Sequence, residues 1–158
     1  MGFILVDYEK CHGCRSCELA CSFNKLEEFN VQRANLSVVE FREAGSLCFP
    51  VVCQHCLEAP CMDVCPVQAM YRDRETGAVL IDENLCIGCK MCLMACPLGA
   101  PWVDSESFRV MKCDLCSGAP QCVQYCGFGA LLFVTAEEAM RKRRKEGARK
   151  ISQIINRL

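Results

Sequence analysis

CQHCLEAPCMDVCPVQAM (53–70), YRDRETGAVLID (71–82) and ENLCIGCKMCLMACP (83–97) run on without a break, and their reading decides the fold. Two cysteine quartets, Cys53, Cys56, Cys61, Cys65 and Cys86, Cys89, Cys92, Cys96, flank a segment with apolar ends and a polar Glu75-Thr76-Gly77 centre. That segment (69–82) predicts a short β-hairpin. Outside this block stand two more quartets: Cys11, Cys14, Cys17, Cys21, and Cys113, Cys116, Cys122, Cys126. Sixteen of the seventeen cysteines fall into quartets, and only Cys48 stands apart.

The quartets are of two alternating types. FILVDYEKCHGCRSCELAC (3–21) recurs as VLIDENLCIGCKMCLMAC (79–96): four apolar residues, an Asp, three residues, then C-x-G-C-x-x-C-x-x-A-C. CQHCLEAPCMDVCPVQAM (53–70) resembles CDLCSGAPQCVQYCGFGAL (113–131) instead, sharing Ala-Pro ahead of the third Cys. The central block is therefore second type, hairpin, first type. The same unit can be assembled from the chain's ends, because the strand candidate ALLFV (130–134) follows quartet four and FILVD (3–7) precedes quartet one; only the joining turn is missing.

An α+β fold follows, with two dicluster modules, one inserted into a circularly permuted copy of the other. Residues 1–52 and 102–134 form the outer module, 53–101 the inner, and 135–158 a helical tail. Thr135 and Glu138 form a capping box at the start of that tail, and Gly147 marks where it is expected to fray. A strand is expected over LSVVEF (36–41) and a turn near Gly45.

C-x2-C-x2-C-x3-C-P is the spacing of bacterial two-cluster ferredoxins, in which three thiolates hold one iron-sulfur cube and the fourth reaches the neighbouring cube. Quartets one and three have this spacing, quartet two is C-x2-C-x4-C-x3-C-P, and quartet four is C-x2-C-x5-C-x3-C without the proline. Pairing by repeat order places Cys65 with Cys86, Cys89 and Cys92; Cys96 with Cys53, Cys56 and Cys61; Cys126 with Cys11, Cys14 and Cys17; and Cys21 with Cys113, Cys116 and Cys122. Four 4Fe-4S clusters are expected. Quartet four departs furthest from the pattern, and a three-cube chain is the alternative it leaves open. Zinc ribbons and fingers use C-x2-C in twos, not in these quartets. A disulfide framework suits a secreted chain, whereas MGFILVDYEK lacks the features of a signal peptide.

The 158 residues carry a net charge of −1, unevenly spread: residues 135–158 hold +5. RKRRK (141–145) lacks interleaved aromatics, which favours a solvated face or a docking surface for an acidic partner over nucleic acid. No apolar run is long enough to span a membrane. A cytoplasmic setting is expected. Cys48 in LCFPVV reads as a small buried hydrophobe, His12 and His55 as loop surface, and Met91, Met94, Met111 and Trp102 as core filling or as a cover over a cluster. GxGxxG is absent, and nothing marks a pterin, flavin or nucleotide site.

On CQHCLEAPCMDVCP (53–66), IDENLCIGCKMCLMACPLGAP (81–101) and KCDLC (112–116), the chain resembles the four-cluster ferredoxin-like subunits of molybdenum and tungsten oxidoreductases. These include subunits of dimethyl sulfoxide reductase, formate dehydrogenase and formate hydrogenlyase. The resemblance covers residues 3–134 and implies four 4Fe-4S clusters in two ferredoxin folds, with quartets paired first with fourth and second with third. CGFGAL (126–131) replaces the usual Cys-Pro, and CSGAPQCVQYC (116–126) is similar to the small polyferredoxin partners of tungsten aldehyde oxidoreductases. The resemblance implies a non-catalytic electron-transfer subunit. Its partners would be a large tungsten- or molybdenum-cofactor catalytic subunit and a flavoprotein, ferredoxin or hydrogenase acceptor. A formate dehydrogenase or hydrogenase complex, or a free soluble polyferredoxin, is the alternative.

Overall fold

The computed structural model describes residues 2–41 and 47–155. The turn expected near Gly45 lies outside them. The strands are β1 (Gly2–Val6), β2 (Leu36–Phe41), β3 (Leu47–Val52), β4 (Met70–Arg72), β5 (Val79–Ile81), β6 (Trp102–Val103), β7 (Val110–Met111) and β8 (Leu131–Thr135). The helices are α1 (Ser16–Leu26), α2 (Pro60–Asp63), α3 (Met91–Ala95), α4 (Gln121–Gln124) and α5 (Ala136–Ile155). Among the described residues the strands pair only in antiparallel twos, with small helices beside them, which is an α+β arrangement.

β4 and β5 form the hairpin expected between quartets two and three, with Met70 opposite Ile81. The chain's ends form its counterpart. β1 pairs antiparallel with β8, Phe3 opposite Val134 and Val6 opposite Leu131, although no turn joins them. The two pairs also end alike: Asp82 donates its N–H to the Ala69 carbonyl at 2.8 Å, and Asp7 donates to Ala130 at 2.8 Å. Helix packing follows the same partition, α1 on α4 and α2 on α3.

Two pairs were not expected from the sequence. β3 carries Pro50 opposite Val38 of β2, where a two-stranded sheet leaves each strand a free edge. The β6–β7 hairpin repeats the turn of β4–β5. Asp73 Oδ2 accepts from the Thr76 N–H and hydroxyl, Asp104 Oδ2 accepts from those of Ser107, and the next residue is left-handed in each, Gly77 at φ 75° and Phe108 at φ 57°. DRETGAV (73–79) and DSESFRV (104–110) thus encode one turn twice. Asp104 is also gripped by the Arg33 guanidinium at 2.8 and 2.9 Å. The Arg33 side chain, with the Ser107 hydroxyl, holds the Asp104 carboxyl well below the usual carboxylate range.

The core is built largely of sulfur. One buried cluster gathers Cys17, Cys21, Cys48, Cys53, Cys113 and Cys122 with Ile4, Leu36, Leu115 and Leu131; a smaller one gathers Cys92, Met70 and Val110. Thr135 and Glu138 form the expected capping box, with Thr135 N to Glu138 Oε2 at 2.8 Å and Glu138 N to Thr135 Oγ1 at 3.3 Å. α5 runs through Gly147 to Ile155, so the helix continues past the glycine beyond which it was expected to fray; the flanking good helix formers outweigh a cost of about 1 kcal/mol.

Candidate metal centres

Each quartet begins in a loop with a left-handed residue before its second cysteine: Gly13 (φ 70°), His55 (φ 46°), Gly88 (φ 66°) and Leu115 (φ 57°). In the first-type loops a basic residue after that cysteine is also left-handed, Arg15 at φ 58° and Lys90 at φ 64°, and it starts a helix carrying the third cysteine. At Gly13 an added Cβ would meet Cys48 Sγ at 2.7 Å, so the lone cysteine fills the space behind this loop as a buried apolar group.

The fourth cysteines share a turn. The N–H groups of Ala69, Ala100 and Ala130 donate to Cys65, Cys96 and Cys126 Sγ at 3.2, 3.4 and 3.2 Å. Before each alanine lies a left-handed residue, Gln68, Gly99 or Gly129. Gly127 stands where Pro66 and Pro97 stand in the other two, yet the turn is the same, because the left-handed residue rather than the proline closes it. Cys21 differs. No proline follows it, α1 continues to Leu26, and its sulfur accepts from the Asn35 N–H at 3.3 Å. Asn35 is held in turn by the Trp102 indole N–H at 2.9 Å.

The grouping of thiols crosses quartets. Cys11, Cys14, Cys17 and Cys126 line one cavity; Cys65, Cys86, Cys89 and Cys92 line another. Burial pushes the Cys17 thiol up to about 12, with the charges of Glu18 and Cys126 adding to it. Burial likewise raises Cys122, helped by Cys113, Cys21 and Cys116, and raises Cys61, which also feels Cys53 and Cys96. Cys56 lies half-buried in the same loop as Cys53. Cys14 is brought down by the backbone and hydroxyl of Ser16.

All-sulfur donor sets of four, with backbone N–H groups already bonded to sulfur, fit a 4Fe-4S cube, whose potential such bonds and burial tune. Among the described residues no three His, Cys, Asp or Glu side chains are gathered around a single point as one metal ion would require. Cys14 and Cys89 are exposed, whereas Cys53, Cys113 and Cys122 are buried.

Several supporting residues carried no sequence signal. Arg72, in the hairpin, donates to the carbonyls of His55, Cys56, Leu57 and Gly77, clamping the quartet-two loop from behind. Glu18 is buried behind Cys17 and accepts from the Val38 N–H at 2.7 Å. His55 is not on the surface: it is 7% exposed, its Nδ1 accepts from the Val79 N–H at 2.9 Å, and its Nε2 has no partner among the described residues. Burial, reinforced by the Lys112 charge, lowers it to about 4, so the imidazole is neutral. His12 is exposed and packs edge-on against Phe128. Met94 is 89% exposed, and neither it nor Met91 is core filling, because both lie on the outer side of the short α3.

Residues 45–136 match the 4Fe-4S dicluster domain, and residues 4–24 the 4Fe-4S binding domain. The chain belongs to the 4Fe-4S dicluster family. Within that family it is 41% identical to the putative electron transport protein YsaA of Escherichia coli K12, over 91% of this chain and 96% of that protein. It is 37% identical to the polyferredoxin-like subunit of the aliphatic sulfonate oxidoreductase of Pyrococcus furiosus (84% and 78% covered). It is also 36% identical to YnfG of Escherichia coli K12, a probable anaerobic dimethyl sulfoxide reductase chain (87% and 75%). A chain of the active-site complex BamBC of benzoyl coenzyme A reductase, as isolated, matches with a TM-score of 0.51 at 22% identity, covering 99% of this chain and 97% of that one; this is likeness of fold alone. No helix among the described residues is long and apolar enough to cross a membrane.

Proposed function

We propose that this dicluster-family chain is a non-catalytic, cytoplasmic electron-transfer subunit that holds four 4Fe-4S clusters in a line. The line would relay single electrons between a large tungsten or molybdenum catalytic subunit, of the aldehyde oxidoreductase kind, and a flavin subunit or other acceptor. When bound, such clusters supply reversible one-electron chemistry. The residues do the rest. Cys11, Cys14, Cys17 and Cys126 hold the first site; Cys113, Cys116, Cys122 and Cys21 the second; Cys53, Cys56, Cys61 and Cys96 the third; Cys86, Cys89, Cys92 and Cys65 the fourth. The outer module is 1–52 with 102–134, and the inner is 53–101.

The observation that carries this reading is the lining of two cavities by three thiols of one quartet and the fourth thiol of its partner, Cys126 and Cys65 respectively. The order of sites is read from which thiols pack together across groups. One buried cluster joins Cys17, Cys122, Cys113 and Cys53, and a second joins Cys61 and Cys92. This makes a chain of contacts with exposed Cys14 at one end and exposed Cys89 at the other. Near the Cys14 end a groove runs between Tyr8–Lys10 and α5, where Arg143, Lys145 and Arg149 make no ion pair among the described residues. That end suits an acidic acceptor. At the Cys89 end Ile87 and Met94 are 65% and 89% exposed, which suits a lasting apolar contact with a large subunit. Relatives named as parts of oxidoreductases agree with life in a complex.

Anaerobic purification from the native source, with identification of the co-purifying large subunit and its metal, tests this reading. Tungsten or molybdenum in that subunit is expected. Elution of the chain alone would favour a free carrier, and nickel in the partner a hydrogenase.

A further inference from the structure

Lys112 ends the segment after β7, directly before Cys113, and its side chain is turned inward: the residue is only 7% exposed. Its ammonium donates to the Val79 carbonyl, and to the Cys113 carbonyl at 3.1 Å. Among the described residues no carboxylate pairs with it, and two carbonyl dipoles are a poor substitute for the water an ammonium gives up. A buried ammonium without an anion is stabilised by a negative charge brought near it. Through the Cys113 carbonyl it sits on the quartet-four loop, and through Val79, whose N–H is bonded to His55, it sits against the quartet-two loop. His55 is neutral and accepts the Val79 N–H, which fixes the strand whose carbonyl receives Lys112. Those two loops carry cysteines of the second and third sites of the line, one in each module.

We propose that Lys112 is the fixed counter-cation of the two middle 4Fe-4S sites and raises their reduction potentials over those the sulfur ligands alone would set. This rests on the four-site reading above. Reduction adds one electron and hence one negative charge to a site, with no bond made or broken and no proton required. A positive charge in a low-dielectric interior stabilises the reduced form more than the oxidised one. Lys112 also ties β5 of the inner module to the quartet-four loop of the outer. A purely structural role would rest on the donor groups alone, whereas this one rests on the charge.

The test is a reductive titration followed by electron paramagnetic resonance, on the anaerobically purified complex, after counting iron and sulfide. Lys112→Met should keep the wild-type iron content and lower two of the four potentials by about 59 mV or more, tenfold in a one-electron equilibrium. Lys112→Arg should restore most of the shift. Unchanged potentials at full iron content, or equal movement of all four, would overturn the proposal. Should Lys112→Met fail to load, Lys112→Gln, which keeps donors but no charge, is titrated instead. Loss of iron in both, with Lys112→Arg loading normally, assigns a role in assembly and overturns it as well. A wild-type chain that itself holds fewer than four clusters is a failure of the four-site reading, seen before any variant is made.

Discussion

Asp7 donates its backbone N–H to the carbonyl of Ala130 at 2.8 Å, and so closes the first strand of the chain onto the last. The contact between Asp82 and Ala69 is the same bond in the continuous hairpin. Each lies between a first-type and a second-type quartet, which places the fourth cysteine of one beside the first three of the other.

Removing a single cross-over cysteine should therefore disturb the partner's site. Cys126→Ala is expected to alter the site of Cys11, Cys14 and Cys17, and Cys21→Ala that of Cys113, Cys116 and Cys122. Each should lower iron by about four per chain or convert one cluster to a three-iron form. Mössbauer spectra of Cys126→Ala combined with Cys11→Ala should show one site lost, not two.

The two loop glycines should differ in tolerance. Gly13→Ala and Gly88→Ala both impose a left-handed conformation on a side chain, at about 1–2 kcal/mol. Only Gly13 would also drive its Cβ into Cys48 Sγ; nothing lies within 4 Å of the position at Gly88. Thermal unfolding should show the larger loss in Gly13→Ala, and Cys48→Ala should partly relieve it.

Arg72→Ala removes four bonds to carbonyls, three of them in the loop of Cys53 and Cys56. A loss of about 2 kcal/mol is expected, since bonds to a charged donor contribute more than neutral ones. Release of iron to a chelator should become faster from one site while the other three hold.

The cations of α5 should act on encounter rather than on the clusters. Arg143→Glu with Lys145→Glu should slow electron transfer to an acidic acceptor at low salt and flatten its dependence on ionic strength. Potentials and iron content should stay as in the wild type, which stopped-flow reduction alongside an iron assay would establish.

The quartets, their alternation and the β4–β5 hairpin were legible because thiolate spacing and a Glu-Thr-Gly turn are local signals. So was the capping box at Thr135. The second hairpin went unread because its turn has Phe108 in the left-handed position where Gly77 marks the first. β3 was hidden by Pro50, which reads as a breaker and is tolerated beside a free edge. The supporting shell was beyond local reading altogether. Arg72, Glu18, His55 and Lys112 take their roles from what folds over them, and a residue's burial at such a joint is a property of tertiary structure.

The count of iron and acid-labile sulfide in oxygen-free material tests the central claim most directly. The account predicts about sixteen of each per chain, four per site. About twelve would mean that quartet four holds no cube, and about eight would contradict the proposal that the chain's two ends form a second, permuted module.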